Sequence, residues 1–258
     1  MSGGHGHAHA HDRSSGTVAL PAAAAIVATC VFVAAVVATP RDAVWAFGGL
    51  ALLVVIGAVV LRVPARTLRS RLVLEVPFVA FAVALPIAGR GPFVHLGPVR
   101  LSEAGLWGAW AIVAKGTLGV AASGLLVSTV PDVALIGGLE RLRLPQVVTG
   151  TMTFMLRYGD LVADEQRRMR IARMSRGDDP RWLWQVGALT RGLGALFVRS
   201  YERGERVQVA MASRGWTGSM PAHVLDAPTA EVSPRAVPGL AIAAAAATAI
   251  AVAALVAR

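Results

Sequence analysis

The chain has 258 residues, of which 55% are hydrophobic and only 16% are charged, and its mean hydropathy is +0.60. This composition excludes an ordinary soluble domain and predicts a polytopic membrane protein built as an all-α helical bundle. The net charge of +10 could suggest nucleic-acid binding, but the basic residues lie between apolar runs. The positive-inside rule explains them more simply, so we expect a lipid bilayer and no nucleic acid as partner.

Two rare residue types exclude further classes of site. Cys30 is the only cysteine, so the chain has neither a disulfide framework nor a CxxC motif. Lys115 is the only lysine and is followed by Gly116, which excludes a GxxxxGK[ST] phosphate-binding loop. The chain therefore does not bind ATP through a P-loop of its own.

The first 17 residues form a polar tail rich in glycine and serine, which we expect to be disordered. The tail carries His5, His7, His9 and His11 on alternate positions. Alternating imidazoles on a flexible segment can capture an ion such as Co²⁺, Ni²⁺ or Zn²⁺. The alternative is a solvated tail without a metal.

Five apolar runs follow, most of them long enough to cross a bilayer of about 30 Å as a helix. The first four predict a transmembrane bundle over residues 18–130, and the last predicts a C-terminal transmembrane helix over 237–258. A connection rich in glycine and proline precedes the fourth run and predicts a loop. The runs are residues 18–38, 44–61, 74–88, 104–130 and 237–257.

The arginines predict the orientation in a plasma or inner membrane. Arg62, Arg66, Arg69 and Arg71 follow the second run without an acidic residue among them, which indicates a cytoplasmic loop. Alternation of the spans then places residues 131–236, which hold 15 Arg against 11 Asp plus Glu, on the same side. The N-terminus is accordingly expected in the cytoplasm and the C-terminus outside.

A lone cation falls inside the fourth run. Lys115 lies near its middle, and an intramembrane lysine must face protein or water. One interpretation is a contact with another membrane subunit. The other is a lysine that is paired within the bundle or reaches the interface.

Residues 131–236 predict a cytoplasmic region with two long amphipathic helices, packed on each other or along the membrane surface. From Gln146, apolar residues recur at helical spacing and predict one helix to about Arg176, roughly 45 Å long. The sequence Asp-Asp-Pro at 178–180 supplies an N-cap and a first-turn proline for the second, which ends at Arg214. The first pattern comprises Val148, Met152, Met155, Val162 and Met169.

The ends of both helices carry a repeated decamer, RMRIARMSRG at 168–177 and RVQVAMASRG at 206–215. Each copy places Arg, Ala and Arg four residues apart, which stacks them on one helix face, and then ends in Arg-Gly, as expected where a helix stops. Two similar ends favour docking to a two-fold partner, whereas a single copy would indicate only a well-capped helix. The shared residues are Arg168/Arg206, Ala172/Ala210, Ser175/Ser213, Arg176/Arg214 and Gly177/Gly215.

Three stretches within residues 104–218 carry a family resemblance: STVPDVALIGGLERLRLP, the DEQRRMRIARMSRG region and RSYERGERVQVAMASRGWTG. They resemble the transmembrane T component of energy-coupling factor (ECF) importers, most closely the CbiQ type of cobalt and nickel systems. That family ends its two coupling helices with X-Arg-X motifs, usually Ala-Arg-Ser or Ala-Arg-Gly. Here the matching motifs are Ser175-Arg176-Gly177 and Ser213-Arg214-Gly215.

The resemblance implies a protein that transmits motion rather than catalysing a reaction. Two ABC-type ATPase subunits would use the ATP, each holding one coupling helix in a groove that receives Arg176 or Arg214. A separate substrate-binding S component would select cobalt or nickel. The chain itself would bind no cofactor, and Arg168, Ala172, Arg206 and Ala210 would support the coupling faces.

Two other classes of function stay open at this point. One is a membrane enzyme at the cytoplasmic face, with arginines binding phosphate and Asp160, Asp164 or Glu165 acting as acid or base. The other is a stand-alone metal carrier that uses the tail histidines. A carrier predicts intramembrane His, Asp or Glu ligands, and the predicted spans contain almost none.

Overall fold

The computed structural model describes residues 21–88, 93–96, 99–177, 186–216, 218 and 236–257. The chain divides into two compact units. Unit 1 comprises Met1–Pro131 and Pro228–Arg258, and unit 2 comprises Asp132–Ala227. Almost all of the described structure is α-helical, so the predicted fold class is confirmed.

Unit 1 contains the apolar helices. Most of them are hydrophobic on every side, the pattern of helices surrounded by lipid or by other apolar helices. Among the described residues, Glu103–Thr129 and Pro238–Val256 are long and apolar enough to span a membrane, and three apolar helices are shorter. The helices are α1 (Ala22–Ala38), α2 (Val44–Val60), α3 (Ala65–Leu72), α4 (Val76–Ala88), α5 (Glu103–Thr129) and α9 (Ala236–Val256).

The core of unit 1 lies where α1, α2, α5 and α9 meet. Val36, Leu50, Leu118 and Ala247 are buried there in one continuous cluster. Large apolar side chains elsewhere on the same helices stay exposed, for example Val59. A bundle with a small buried core and an apolar outer surface is suited to a lipid environment, where there is no water for apolar groups to avoid.

Two features of unit 1 differ from the sequence-based expectation. The arginine-rich segment predicted as a loop forms α3, which a 3₁₀ turn at Val73–Glu75 joins to α4. The connection predicted as a loop contains two antiparallel strands, β1 (Phe93–Leu96) and β2 (Val99–Ser102). The expectation rested on glycine and proline and overlooked the β-branched and aromatic residues between them.

Polar contacts hold the α3 segment against α5. The Arg71 guanidinium donates to the Gly124 carbonyl oxygen at 3.2 Å. Four residues after Arg71, the buried Glu75 accepts a hydrogen bond at Oε1 from the Thr117 hydroxyl of α5 at 2.9 Å. A Cβ added at Gly116 would lie 2.7 Å from that oxygen, so the glycine makes room for the carboxyl group.

The start of α5 is fixed by a cap and by close packing on α4. The Ser102 hydroxyl accepts a hydrogen bond from the Gly105 amide at 3.3 Å, an N-cap contact. A Cβ added at Gly105 would meet the Leu85 carbonyl oxygen at 2.6 Å and the Pro86 Cα at 2.8 Å. The two helices can therefore approach this closely only because residue 105 has no side chain.

The described residues of unit 2 form α6 (Asp132–Arg141), α7 (Gln146–Met174) and α8 (Val186–Ala212). The two long helices predicted from the sequence are therefore observed, whereas α6 was not predicted. With 29 and 27 residues, α7 and α8 are about 44 Å and 41 Å long. The Asp-Asp-Pro sequence predicted to begin the second helix lies outside the described residues.

Contacts between α7 and α8 show that the helices run in opposite directions. Glu165 on α7 pairs with Arg199 at 3.1 Å and with Arg203 at 3.6 Å on α8. A cavity of about 510 Å³ lies on one side of these ion pairs, between earlier residues of α7 and later residues of α8. Its apolar lining includes Phe154, Met155, Tyr158, Val207, Met211 and Trp216.

Candidate partner-docking site

The first decamer ends α7 as its sequence predicts. The backbone amide of Ser175 donates to the Ile171 carbonyl at 3.0 Å and continues the helical pattern. Gly177 then takes a φ of +86°, and its amide donates to the Met174 carbonyl at 3.1 Å. A residue with a side chain is strained at this φ, so glycine is required for the helix to stop directly after Arg176.

The second decamer ends α8 with matching geometry. Gly215 has a φ of +79°, and its amide donates to the Ala212 carbonyl at 3.0 Å. The amide of Trp216 donates to the Met211 carbonyl at 3.1 Å, which completes a Schellman motif. Arg214 is thereby held at the tip of α8 as Arg176 is at the tip of α7.

The two serines of the motifs have a role that sequence reasoning did not identify. The Ser175 hydroxyl donates to the Ala172 carbonyl at 2.9 Å, and the Ser213 hydroxyl donates to the Ala210 carbonyl at 3.0 Å. Carbonyl groups in the last turn of a helix lack backbone partners, and these hydroxyls provide additional donors there. The serines therefore strengthen both helix ends in the same way.

Each decamer presents one exposed helix face, formed by residues three and four positions apart. In the described part of the chain, the side chains of the four arginines on these faces make no hydrogen bond or ion pair, so all four guanidinium groups can bind a partner. The first docking face comprises Arg168, Ile171, Ala172, Ser175 and Arg176, and the second comprises Arg206, Val209, Ala210, Ser213 and Arg214.

The antiparallel pairing separates the two tips. Arg176 lies 11 residues beyond Glu165 along α7, or about 17 Å. Arg214 lies 15 residues beyond Arg199 along α8, or about 23 Å in the opposing direction. Because Glu165 and Arg199 are joined by an ion pair, the tips point away from each other on either side of this contact. Unit 2 therefore offers two matched sites at separate ends of the helix pair.

Lys115 has a partner inside unit 1. Its ammonium group donates to the carbonyl oxygen of Val37 at 2.8 Å, next to the last residue of α1. Carbonyls at a helix C-terminus lack backbone partners and attract positive charge, so the lysine caps α1. A contact between Lys115 and another subunit stays a prediction.

The remaining sequence-predicted candidates do not form a site among the described residues. Glu165 is engaged by two arginines, while Asp160 and Asp164 are exposed on the same helix. The described residues contain no group of three or more His, Cys, Asp or Glu side chains that could hold a metal ion. The tail histidines His5, His7, His9 and His11 lie outside the described residues.

An apolar helical bundle with two described helices long enough to span a membrane, together with a unit of paired amphipathic helices, is typical of a membrane protein. The family model described as "CbiQ: Cobalt transport protein" matches residues 13–223. The chain belongs to the CbiQ family. The resemblance inferred from the three sequence stretches is therefore confirmed.

Three relatives are similar to parts of the chain. The cobalt transport protein CbiQ of Rhodobacter capsulatus is 27% identical over 160 residues, 62% of this chain and 64% of the relative. A putative fused cobalt transport protein CbiMQ of Methanocorpusculum labreanum is 26% identical over 145 residues, 54% of this chain and 24% of the relative. An uncharacterized protein of Methanocaldococcus jannaschii is 29% identical over 106 residues, 40% of this chain and 38% of the relative. The matches thus cover less than two thirds of each relative's length.

Proposed function

We propose that the chain is the transmembrane coupling component of an ECF-type importer for cobalt or nickel ions. The observation that carries the proposal is the pair of matched helix ends in unit 2, each with an exposed arginine held between a capping serine and a glycine with positive φ. Two equivalent binding sites on one chain suit a partner with two equivalent subunits. A dimer of ABC-type ATPases is such a partner.

The chemistry of the docking faces suits the insertion of each tip into a groove. A guanidinium group offers five donors in a rigid planar fork and can bridge carboxylates and backbone carbonyls. Arg176 and Arg214 would be the inserted groups, with Arg168 and Arg206 two turns away on the same faces. Closure of the ATPase dimer on ATP would then move the two tips.

The stiffness of the two helices allows this motion to be transmitted. The Glu165 ion pairs join α7 to α8, so displacement of one tip is passed to the other helix. Unit 2 follows α5 directly in the chain at Asp132, which provides a covalent route to the membrane helices. The chain itself would bind no cofactor and catalyse no reaction, and ATP would be consumed by its partners.

The second membrane partner would be the subunit that selects the metal. The relative named as a fusion of CbiM and CbiQ supports association of this chain with a CbiM-type S component. The relatives' names favour cobalt as cargo, and nickel has similar ligand preferences. The orientation proposed from the arginines places the N-terminus and unit 2 in the cytoplasm and the C-terminus outside.

Purification of the chain from its native membrane tests the proposal directly. We expect an ABC-type ATPase and a second membrane subunit to purify with it in a fixed ratio, with two ATPase subunits for each copy of this chain. Mass spectrometry identifies the chains, and native mass measurement gives their ratio. A chain that purifies alone from cells with active metal uptake would contradict the proposal.

The tail histidines allow a separate prediction about the metal. Deletion of residues 2–15 should reduce cobalt or nickel uptake by about twofold at most, because we expect the alternating histidines to concentrate ions near the protein rather than to supply an essential ligand set. Uptake of radioactive metal into cells expressing the deleted and full-length chains provides the measurement. Complete loss of uptake at equal membrane levels would show that the tail is an essential ligand set.

A further inference from the structure

The residues shared by the two decamers lie mainly on one face of each helix rather than all around it. On the docking faces, four of the five positions are identical, and the fifth exchanges Ile171 for Val209. Outside the faces, only the capping glycines Gly177 and Gly215 match, and the other positions differ, as at Arg170 and Gln208. Arg170 and Gln208 are themselves exposed, so exposure alone does not explain which residues match. The similarity follows the surface that a partner would contact.

The centre of each docking face is apolar. Ile171 is 59% exposed and Val209 is 70% exposed, and each is followed directly by a small alanine, Ala172 or Ala210. Single exposed apolar residues are common on protein surfaces. Here, however, a β-branched residue recurs at the same place in both copies, between the same pair of arginines.

The spacing of charge around this centre is regular. The two arginines of each face are eight residues apart, which corresponds to about 12 Å along a helix. The apolar residue and its neighbouring alanine lie between them, about 5 to 6 Å from the first arginine. The alanine has only a methyl group, so a partner surface can approach the helix closely at this point.

We propose that Ile171 and Val209 are the apolar anchors of the two docking faces, and that each ATPase subunit presents a groove with an apolar floor and two acidic sites about 12 Å apart. This inference rests on the proposed function, because it identifies the partner surface from the helices that dock there. The two sites of the groove are expected to be acidic because each docking face carries two guanidinium groups whose side chains are unpaired among the described residues. The β-branched residue then determines how long the complex lasts, because burial of apolar area mainly slows dissociation.

The test compares binding of purified chain, in detergent, to the purified ABC-type ATPase that the wild-type chain captures. Ile171→Ser and Val209→Ser should each weaken binding about tenfold, and the double variant about a hundredfold, because each loses the burial of one aliphatic side chain. The loss should appear as faster dissociation. It should also persist at high salt, which screens the guanidinium contacts but not apolar ones.

Matched controls separate the apolar contact from general effects on the helices. Arg170→Gln introduces the residue found at the equivalent position of the other copy, outside the docking face, and should leave binding unchanged. The exchange Ile171→Val together with Val209→Ile should also be neutral, because both faces keep a β-branched aliphatic group. Circular dichroism of each variant checks that α7 and α8 remain helical.

The outcomes distinguish this inference from the proposed function. If both serine variants bind like wild type while Arg176 and Arg214 remain essential, the apolar anchors are wrong and the coupling function stands. A wild-type chain that captures no ATPase overturns both. A loss of binding in Arg170→Gln as large as in Ile171→Ser would show that the contact extends around the helix, which contradicts the assigned face.

Discussion

Exchange of Arg176 and Arg214 together for glutamate should weaken capture of the ATPase about a thousandfold and abolish metal-stimulated ATP hydrolysis. Each arginine that becomes buried in a groove of the ATPase is expected to contribute about 2 kcal/mol to binding. Loss of both therefore costs about 4 kcal/mol, which corresponds to nearly three factors of ten in affinity. Glutamate also repels an acidic groove, so the reversed charge increases the loss. Co-purification and the ATPase rate of reconstituted complexes provide the measurements.

The exchange should not impair the fold or the insertion of the chain. Both side chains are exposed, and neither has a hydrogen bond or an ion pair within the described residues. The capping contacts use the backbone and the serines, which the exchange leaves in place. Membrane levels of the variant and wild type should therefore agree within experimental error.

Arg170 and Arg191 provide the matched control, because both are exposed arginines of unit 2 outside the docking faces. The double exchange Arg170→Glu and Arg191→Glu changes the net charge by the same amount but should reduce capture by no more than about threefold, the scale of rim charges. Equal loss in both double variants would indicate general electrostatic attraction rather than two specific sites. Full capture in the Arg176 and Arg214 variant would remove the basis of the proposed function.

The positions of the helices could be predicted because their signals are local. The run predicted at 44–61 is observed as Val44–Val60, and the run predicted at 104–130 is observed as Glu103–Thr129. An apolar run ends where a proline or a charged residue enters it, and this is visible in a short window of sequence. The left-handed glycines at 177 and 215 were predictable for the same reason, since an Arg-Gly pair after an amphipathic stretch specifies a helix end.

The contacts that hold each unit together could not be predicted, because they join residues far apart in the chain. Lys115 and Val37 are separated by 78 residues, and Glu165 and Arg199 by 34. The sequence supplied two interpretations of Lys115, and geometry was needed to identify its carbonyl partner. The sequence also gave no reason to pair Glu165 with α8. The periodicity of a helix shows which residues share a face, but it does not show which helix packs against that face.

The serine of each docking face lies between the local signals that could be predicted and the long-range contacts that could not. Its hydrogen bond spans only three residues, so the information is local. The sequence analysis nevertheless assigned no role to the serine, which stands where the family pattern usually has alanine. A hydroxyl in the last turn of a helix can donate to a free carbonyl, and this chemical difference from alanine was the available signal.

Replacement of Gly105 by alanine should destabilise unit 1 by about 3 kcal/mol, the upper range for forcing extra atoms into a packed contact. A Cβ at this position would lie 2.6 Å from the Leu85 carbonyl oxygen and 2.8 Å from the Pro86 Cα. Both are backbone atoms of α4, so no side-chain rotation relieves the clash, and α4 and α5 must move apart. The measurement is the thermal unfolding midpoint of the purified chain in detergent, followed by circular dichroism.

Gly108 is the control, because it lies one turn further along the same helix and has no atom within 4 Å of an added Cβ. Gly108→Ala should leave the unfolding midpoint unchanged or raise it slightly, since alanine favours a helix over glycine by about 0.5 to 1 kcal/mol. The difference in unfolding midpoint between these two glycine-to-alanine substitutions, three residues apart, then separates the contact between α4 and α5 from helix propensity. If Gly105→Ala is as stable as Gly108→Ala, the helices do not approach each other at this point, and the packing described for the start of α5 is wrong.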